Sequence, residues 1–130
     1  MLPQLFQERM NRMLKDEYPA FLDSYEKERY QALRVNTLKA DREDTFIKFP
    51  FHLKEILWEN NGFYYEKEDY PGKHPYHEAG VYYIQEPSAM APAAYLGAKP
   101  GEKVLDLCAA PGGKSTQIAA AMEGEGLLVS

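Results

Sequence analysis

Val104-Leu105-Asp106-Leu107-Cys108-Ala109-Ala110-Pro111-Gly112-Gly113-Lys114-Ser115-Thr116 is the stretch that decides the fold class. Val104 to Leu107 shows no polar alternation, the pattern of a short strand buried on both faces. A turn of small residues follows, and a helix is predicted from about Ser115 to Met122. Glu123-Gly124-Glu125-Gly126 turns the chain again, and Leu127-Leu128-Val129-Ser130 starts another strand. Strand, loop, helix and strand in that order open a parallel α/β sheet.

A strand that ends in small residues and feeds a helix is a general ligand site. Glycines admit a ligand to the backbone, and the helix start offers unpaired N–H groups. Three chemistries use such a turn. A phosphate-binding loop of the form GxxxxGK[ST] matches at Gly113-Lys114-Ser115, but it requires glycine where Cys108 stands. Pro111 also removes an N–H that such a loop would offer to phosphate. The dinucleotide pattern GxGxxG is absent. A methyltransferase loop needs only an acid near the strand end and a close backbone approach, and Asp106 with the turn supplies both.

Upstream, Leu2, Leu5, Phe6, Met10, Met13 and Leu14 recur at spacings of three and four, predicting an amphipathic helix over 2–17. Pro19 suits the first turn of a second helix reaching about Tyr30. Residues 32–38 alternate like a half-buried strand, and Asp41 is a candidate N-cap for a short helix through Phe49. Leu53–Glu59 and Phe63–Glu66 read as a hairpin about Asn60-Asn61-Gly62, and residues 67–80 as a loop. Val81–Ile84 is a strand. Pro87 opens a helix to about Leu96, with Gly97 as its stop and Pro92 inside it.

The 130-residue chain has the apolar (45%) and charged (27%) shares of an ordinary globular protein. No apolar run reaches the roughly 18 residues of a membrane span, and charges come too early for a secretory leader. One cysteine excludes an internal disulfide framework. A cytoplasmic protein with no membrane partner is expected. The net charge of −5 argues against a simple basic nucleic-acid-binding domain. Residues 1–39 carry +1, 40–80 carry −4 and 81–130 carry −2, so any RNA-binding surface must be local or lie on other sequence.

The stretch from Leu105 to Thr116 resembles the first cofactor motif of the RNA (cytosine-5)-methyltransferases of the RsmB/RsmF, or Nop–Sun, type. Leu33-Arg34-Val35-Asn36-Thr37-Leu38 and Tyr83-Ile84-Gln85-Glu86-Pro87-Ser88-Ala89-Met90 resemble that family too, in matching order and spacing. The layout is most similar to the RsmF branch. The resemblance implies a Rossmann-like domain that binds S-adenosylmethionine through Cys108, Ala109, Ala110, Pro111, Gly112, Gly113 and Lys114. It implies methyl transfer to C5 of a cytosine in RNA, with ribosomal RNA as the expected partner. In the family a cysteine adds to C6 and a second cysteine assists product release, both in motifs downstream of this one. The ribose-binding acid is expected just beyond Ser130. No catalytic residue is therefore assigned within the chain.

The expected fold is α/β. Residues 1–80 make a small α+β RNA-binding-like module, and residues 81–130 the first β-α-β unit of a truncated methyltransferase domain. One such unit cannot cover a parallel strand on both faces. The chain thus reads as a fragment, inactive alone and monomeric at full length. A single small α+β domain, a non-catalytic RNA-binding module and a nucleotide-binding P-loop-like protein are the alternatives.

Individual residues carry competing readings. Cys108 is expected to serve packing and backbone contact rather than covalent catalysis. Lys114 opposes the helix dipole, which favours a partner: the cofactor carboxylate, Asp106 or an RNA phosphate. Arg34 and Asn36 share a strand face, which is either RNA-reading or merely the exposed polar side. Trp58, Phe63, Tyr64 and Tyr65 suit cross-strand packing better than base stacking. His74 and His77 lack further ligands, so no metal is expected.

Overall fold

The computed structural model describes residues 2–130, the side chains of residues 45–47 excepted. Helices α1 (Gln4–Leu14) and α2 (Tyr18–Ser24) are joined by a 3-10 turn at Lys15–Glu17. Strand β1 (Gln31–Val35), helix α3 (Arg42–Lys48), strands β2 (Lys54–Ile56) and β3 (Glu59–Tyr65), helix α4 (Pro75–Glu78) and strand β4 (Tyr82–Ile84) follow. Helix α5 (Pro87–Leu96), strand β5 (Lys103–Leu105), helix α6 (Gly113–Ala121) and strand β6 (Leu127–Val129) complete the chain. The first four strands form an antiparallel sheet in the order β2-β3-β1-β4, and β5 and β6 pair in parallel. This is the expected α/β organisation, with a parallel β-α-β unit after an α+β module. The strand at 82–84, placed by sequence at the head of the second part, is hydrogen-bonded to β1 of the first sheet.

Strand β1 departs from the half-buried pattern read from its sequence: Ala32, Leu33, Arg34 and Val35 are all buried. Both of its faces are covered. Leu33 and Val35 pack with Phe49, Phe63 and Tyr82 on one side, while Ala32 meets Ile56 and Met90 on the other. Side chains alternate across a strand, so Arg34 points the same way as Ala32, toward α5 and α6. Phe63, Leu33, Met90 and Val35 are essentially inaccessible to water, and each such burial stabilises by about 1.5–3 kcal/mol. A third cluster of Ala93, Ala98, Ile118 and Met122, with Val104 and Leu128 against it, joins α5, α6 and the parallel pair.

The hairpin turns elsewhere than its sequence suggested. Leu57 and Trp58 connect β2 to β3, and Asn60-Asn61-Gly62 lies within β3. Gly62 pairs with Arg34, and a Cβ there would stand 2.9 Å from Met90 Sδ and 3.2 Å from Ile56 Cδ1. The glycine thus lets α5 approach the sheet, and this contact overrides the local Asn-Gly preference. Trp58 Nε1 donates to the Pro87 carbonyl at 3.0 Å and fixes the same helix from the turn.

Helix α2 ends at Ser24 rather than near Tyr30; i→i−3 bonds from Tyr25 and Glu26 tighten its last turn. Beyond it, Glu26-Lys27-Glu28-Arg29 presents no apolar face to hold a further turn. The 67–80 segment contains two 3-10 turns and α4 rather than an unbroken loop. Helix α5 has the expected bounds, with Gly97 at φ 61° as its stop. Strand β5 is not buried on both faces among the described residues. Val104 and Leu128 pack inward, whereas Leu105 and Leu127 are 62% and 52% exposed.

Candidate cofactor-binding site

The loop between β5 and α6 is organised by one carboxylate. Asp106 continues the parallel ladder, its N–H donating to the Val129 carbonyl at 2.8 Å. Its side chain is buried, with Oδ1 accepting from the Cys108 N–H at 2.9 Å and Oδ2 from the Ser115 hydroxyl at 2.6 Å. The acid thereby ties the strand exit to the first turn of the helix. The Ser115 hydroxyl first, then the Cys108 amide, hold this carboxyl below the ordinary aspartate range; the Lys114 charge adds a smaller push and burial opposes them.

The middle of the loop is shaped by small residues. The Ala110–Pro111 peptide is cis, and Gly112 sits at φ 112°, a conformation side-chain-bearing residues rarely adopt. A Cβ on Gly112 would meet nothing within 4 Å, so the space beside the loop is open to a ligand. Gly113 is tight instead: a Cβ there would lie 3.2 Å from Gln85 Nε2 and 3.5 Å from Tyr83 Cε1. Lys114 is half-buried in the first turn of α6. Cys108 makes the expected backbone contact, but its side chain is exposed. The packing role expected of it is therefore corrected: β5 is open on that side and offers its thiol no core to fill.

The rear of the loop rests on the first sheet. Arg34 is 2% exposed. Its Nε donates to Gln85 Oε1 at 3.2 Å, and its Nη2 to the Gly113 carbonyl at 3.2 Å and to Thr116 Oγ1 at 2.9 Å. The Thr116 hydroxyl in turn donates to the Gly112 carbonyl at 2.8 Å. Gln85 Nε2 donates to the Ala89 carbonyl, and the Tyr83 hydroxyl reaches the Pro111 carbonyl at 3.4 Å. The strand face considered for Arg34 and Asn36 is not open at Arg34, which is buried, and Asn36 lies just after the strand, half-buried. Asn36 Nδ2 donates to the Gly80 carbonyl, and its Oδ1 accepts from the Leu38 N–H, so it closes a turn.

Two members of this interface were not singled out in the sequence. Gln117 Nε2 donates to Glu59 Oε2 and to the Met90 carbonyl, and both side chains are buried. Glu59 also accepts from the Asn61 N–H at 3.0 Å. The available signal was a glutamine next to the apolar run Ile118-Ala119-Ala120-Ala121 that ends the helix. Burial draws the Arg34 guanidinium down to about 10, with the Glu59 charge pulling it back, so it stays cationic at neutral pH.

The remaining candidates have structural partners. Phe63 is core, and Tyr64 packs against Tyr30 at 5.6 Å between ring centroids. His74 Nδ1 accepts from the Tyr76 N–H at the start of α4. Among the described residues no three His, Cys, Asp or Glu side chains are grouped to hold a metal, and no helix is long and apolar enough to cross a membrane.

The three stretches noted in sequence thus meet at one place: Arg34 from the first, Tyr83 and Gln85 from the second, and the 108–116 turn from the third. Residues 2–87 match the family described as the N-terminal domain of 16S rRNA methyltransferase RsmF. Residues 93–130 match 16S rRNA methyltransferase RsmB/F. The chain belongs to the RsmF family. The ribosomal RNA small subunit methyltransferase F of Erwinia tasmaniensis is 37% identical over 139 aligned positions, which take in 98% of this chain and 29% of that protein. The namesake from Serratia proteamaculans is 42% identical over 108 positions, 77% of this chain and 23% of its own. The RsmF-family chain therefore spans less than a third of these relatives. The crystal structure of a methyltransferase homolog protein from Pyrococcus horikoshii superimposes with a TM-score of 0.80 at 34% identity, over 98% of this chain and 43% of that one.

Proposed function

We propose that this chain supplies the N-terminal module and the opening cofactor unit of an S-adenosylmethionine-dependent RNA methyltransferase, with β4 (Tyr82–Ile84) belonging to the sheet of the module rather than to the cofactor unit. The reaction is methyl transfer to C5 of a cytosine in ribosomal RNA, carried out in the cytoplasm by a monomeric full-length enzyme. The observation that carries this reading is the convergence of the three family stretches on the 108–114 turn. The relatives' names add to it.

S-adenosylmethionine supplies the methyl group when bound. The residues present suit it: Gly112 faces open space, Ala109 and Ala110 add no bulk, and α6 begins at Gly113 with its amides free for polar ligand groups. Cys108 to Lys114 would hold the cofactor, with Asp106 fixing the turn and Lys114 offering a cation to a carboxylate. Arg34 and Asn36 have no part in direct RNA contact in this proposal, their polar groups being engaged within the protein. The cytosine-attacking cysteine is assigned to sequence after Ser130.

Isothermal titration of the chain with S-adenosylmethionine and with ATP tests the cofactor. Binding of S-adenosylmethionine in preference to ATP is expected, and the reverse order rejects the reading. The enzyme extended through its downstream motifs should form 5-methylcytosine in ribosomal RNA. The 130-residue chain alone should form none.

A further inference from the structure

Arg34 is an expensive residue to place inside a protein. Desolvating a guanidinium costs several kcal/mol unless it is well bonded, and buried ionic groups replaced by apolar ones of similar size often leave stability unchanged or raised. Core packing alone gives no reason to keep an arginine between β1 and α6. What it contacts is specific. The acceptors are neutral groups on two sides: the Gln85 amide oxygen, and the Gly113 carbonyl with the Thr116 hydroxyl. The Thr116 hydroxyl passes the contact on to the Gly112 carbonyl. Gln85, held by Arg34, also occupies the space a side chain at Gly113 would need, its Nε2 standing 3.2 Å from where a Cβ would lie. Three bonds from one planar fork therefore fix the direction in which the first turn of α6 leaves the loop.

We propose that Arg34 is a positioning residue for the 108–114 turn, setting the pose of the cofactor loop from the central strand of the N-terminal sheet. The proposal rests on the reading of that turn as the cofactor site, and it makes cofactor affinity depend on the module through one side chain. The arginine touches no cofactor in this scheme. Its effect runs through Gln85, Gly113 and Thr116. Glu59, bonded to Gln117 of the same helix, contributes the negative charge that offsets the guanidinium.

The test uses the 130-residue chain with Arg34→Met, Arg34→Lys and Thr116→Val, read by amide hydrogen exchange and by S-adenosylmethionine titration. Arg34→Met should speed exchange of the Thr116 and Cys108 amides about tenfold, leave the β1–β3 ladder within about twofold, and weaken S-adenosylmethionine about tenfold. Arg34→Lys keeps the charge but cannot span acceptors on both sides, so it should give a smaller change in the same direction and serves if the methionine variant does not fold. Thr116→Val should loosen the turn, and adding Arg34→Met should produce little more, because both act through one contact. Unchanged loop exchange in the Arg34 variants, an equal rise across loop and ladder, or full additivity overturns the proposal. A wild-type chain that binds no S-adenosylmethionine rejects the cofactor reading alone, and the exchange pattern still decides the role of Arg34.

Discussion

At the scale of single residues the loop is governed by Gly112 and Asp106. Gly112→Ala has room for its methyl group but not the backbone angle, since φ is 112°. A loss of about 1–3 kcal/mol is expected, measured as a lower urea midpoint at unchanged m-value. Asp106 sets a pH dependence whose sign follows from its depressed carboxyl. The carboxylate's bonds to Ser115 and Cys108 contribute fully above the ordinary aspartate range and are lost as pH falls through the lower folded value. NMR titration of the Asp106 carboxyl should find it below a free aspartate, and Ser115→Ala should move it back upward. Both residues stood out in the sequence as local features, an acid at a strand end and a glycine in a turn, but the Ser115 and Cys108 partners of the acid did not. The role of Arg34 was not legible there, because β1 alternates like a half-buried strand. Only the packing of α5 and α6 on its second face turns a candidate RNA contact into an internal strut.

At the scale of elements, the contact between α5 and the first sheet is decided where Met90 meets Gly62. Gly62→Ala would push a methyl group to within 2.9 Å of Met90 Sδ and 3.1 Å of Glu59 Cγ. Overpacking of this kind costs about 1–3 kcal/mol. Met90→Ala leaves a cavity at a site with no exposure, with an expected loss of about 2–5 kcal/mol in chemical denaturation. Combining the two substitutions should cost less than their sum, because the first intrudes into space that the second vacates. Helix α5 itself was readable end to end, since Pro87 and Gly97 are local punctuation. The hairpin was misread for the complementary reason. Asn-Gly is a strong local turn signal, and the demand on Gly62 comes from a helix about 28 residues further along the chain.

At the scale of the whole molecule, burial is unevenly shared. The antiparallel sheet is covered on both faces at β1, whereas the parallel pair carries Leu105, Leu127 and Val129 at exposures of 50–62%. Hydrogen exchange should follow that division. The Leu33 and Phe63 amides are expected to exchange only through global unfolding, and the β6 amides through opening at much lower free energy. Equal protection in the two sheets would contradict it. The sequence pattern of β5 announced a strand made for cover on both sides, and the described residues cover one.

The pairing of Arg34 with Gly62 has a consequence for how faithfully such a chain must fold. Strand side chains alternate, so a slip of β1 by a single residue would turn the guanidinium into the aromatic cluster of Phe49 and Tyr82 and present an aliphatic chain to Thr116. The result could stay compact and keep much of its secondary structure while the 108–114 turn lost its anchor. Registration of a strand some seventy-five residues upstream is therefore information that the ligand loop inherits. A misregistered population would betray itself as a fraction of chains that never binds, rather than as a uniform weakening of affinity.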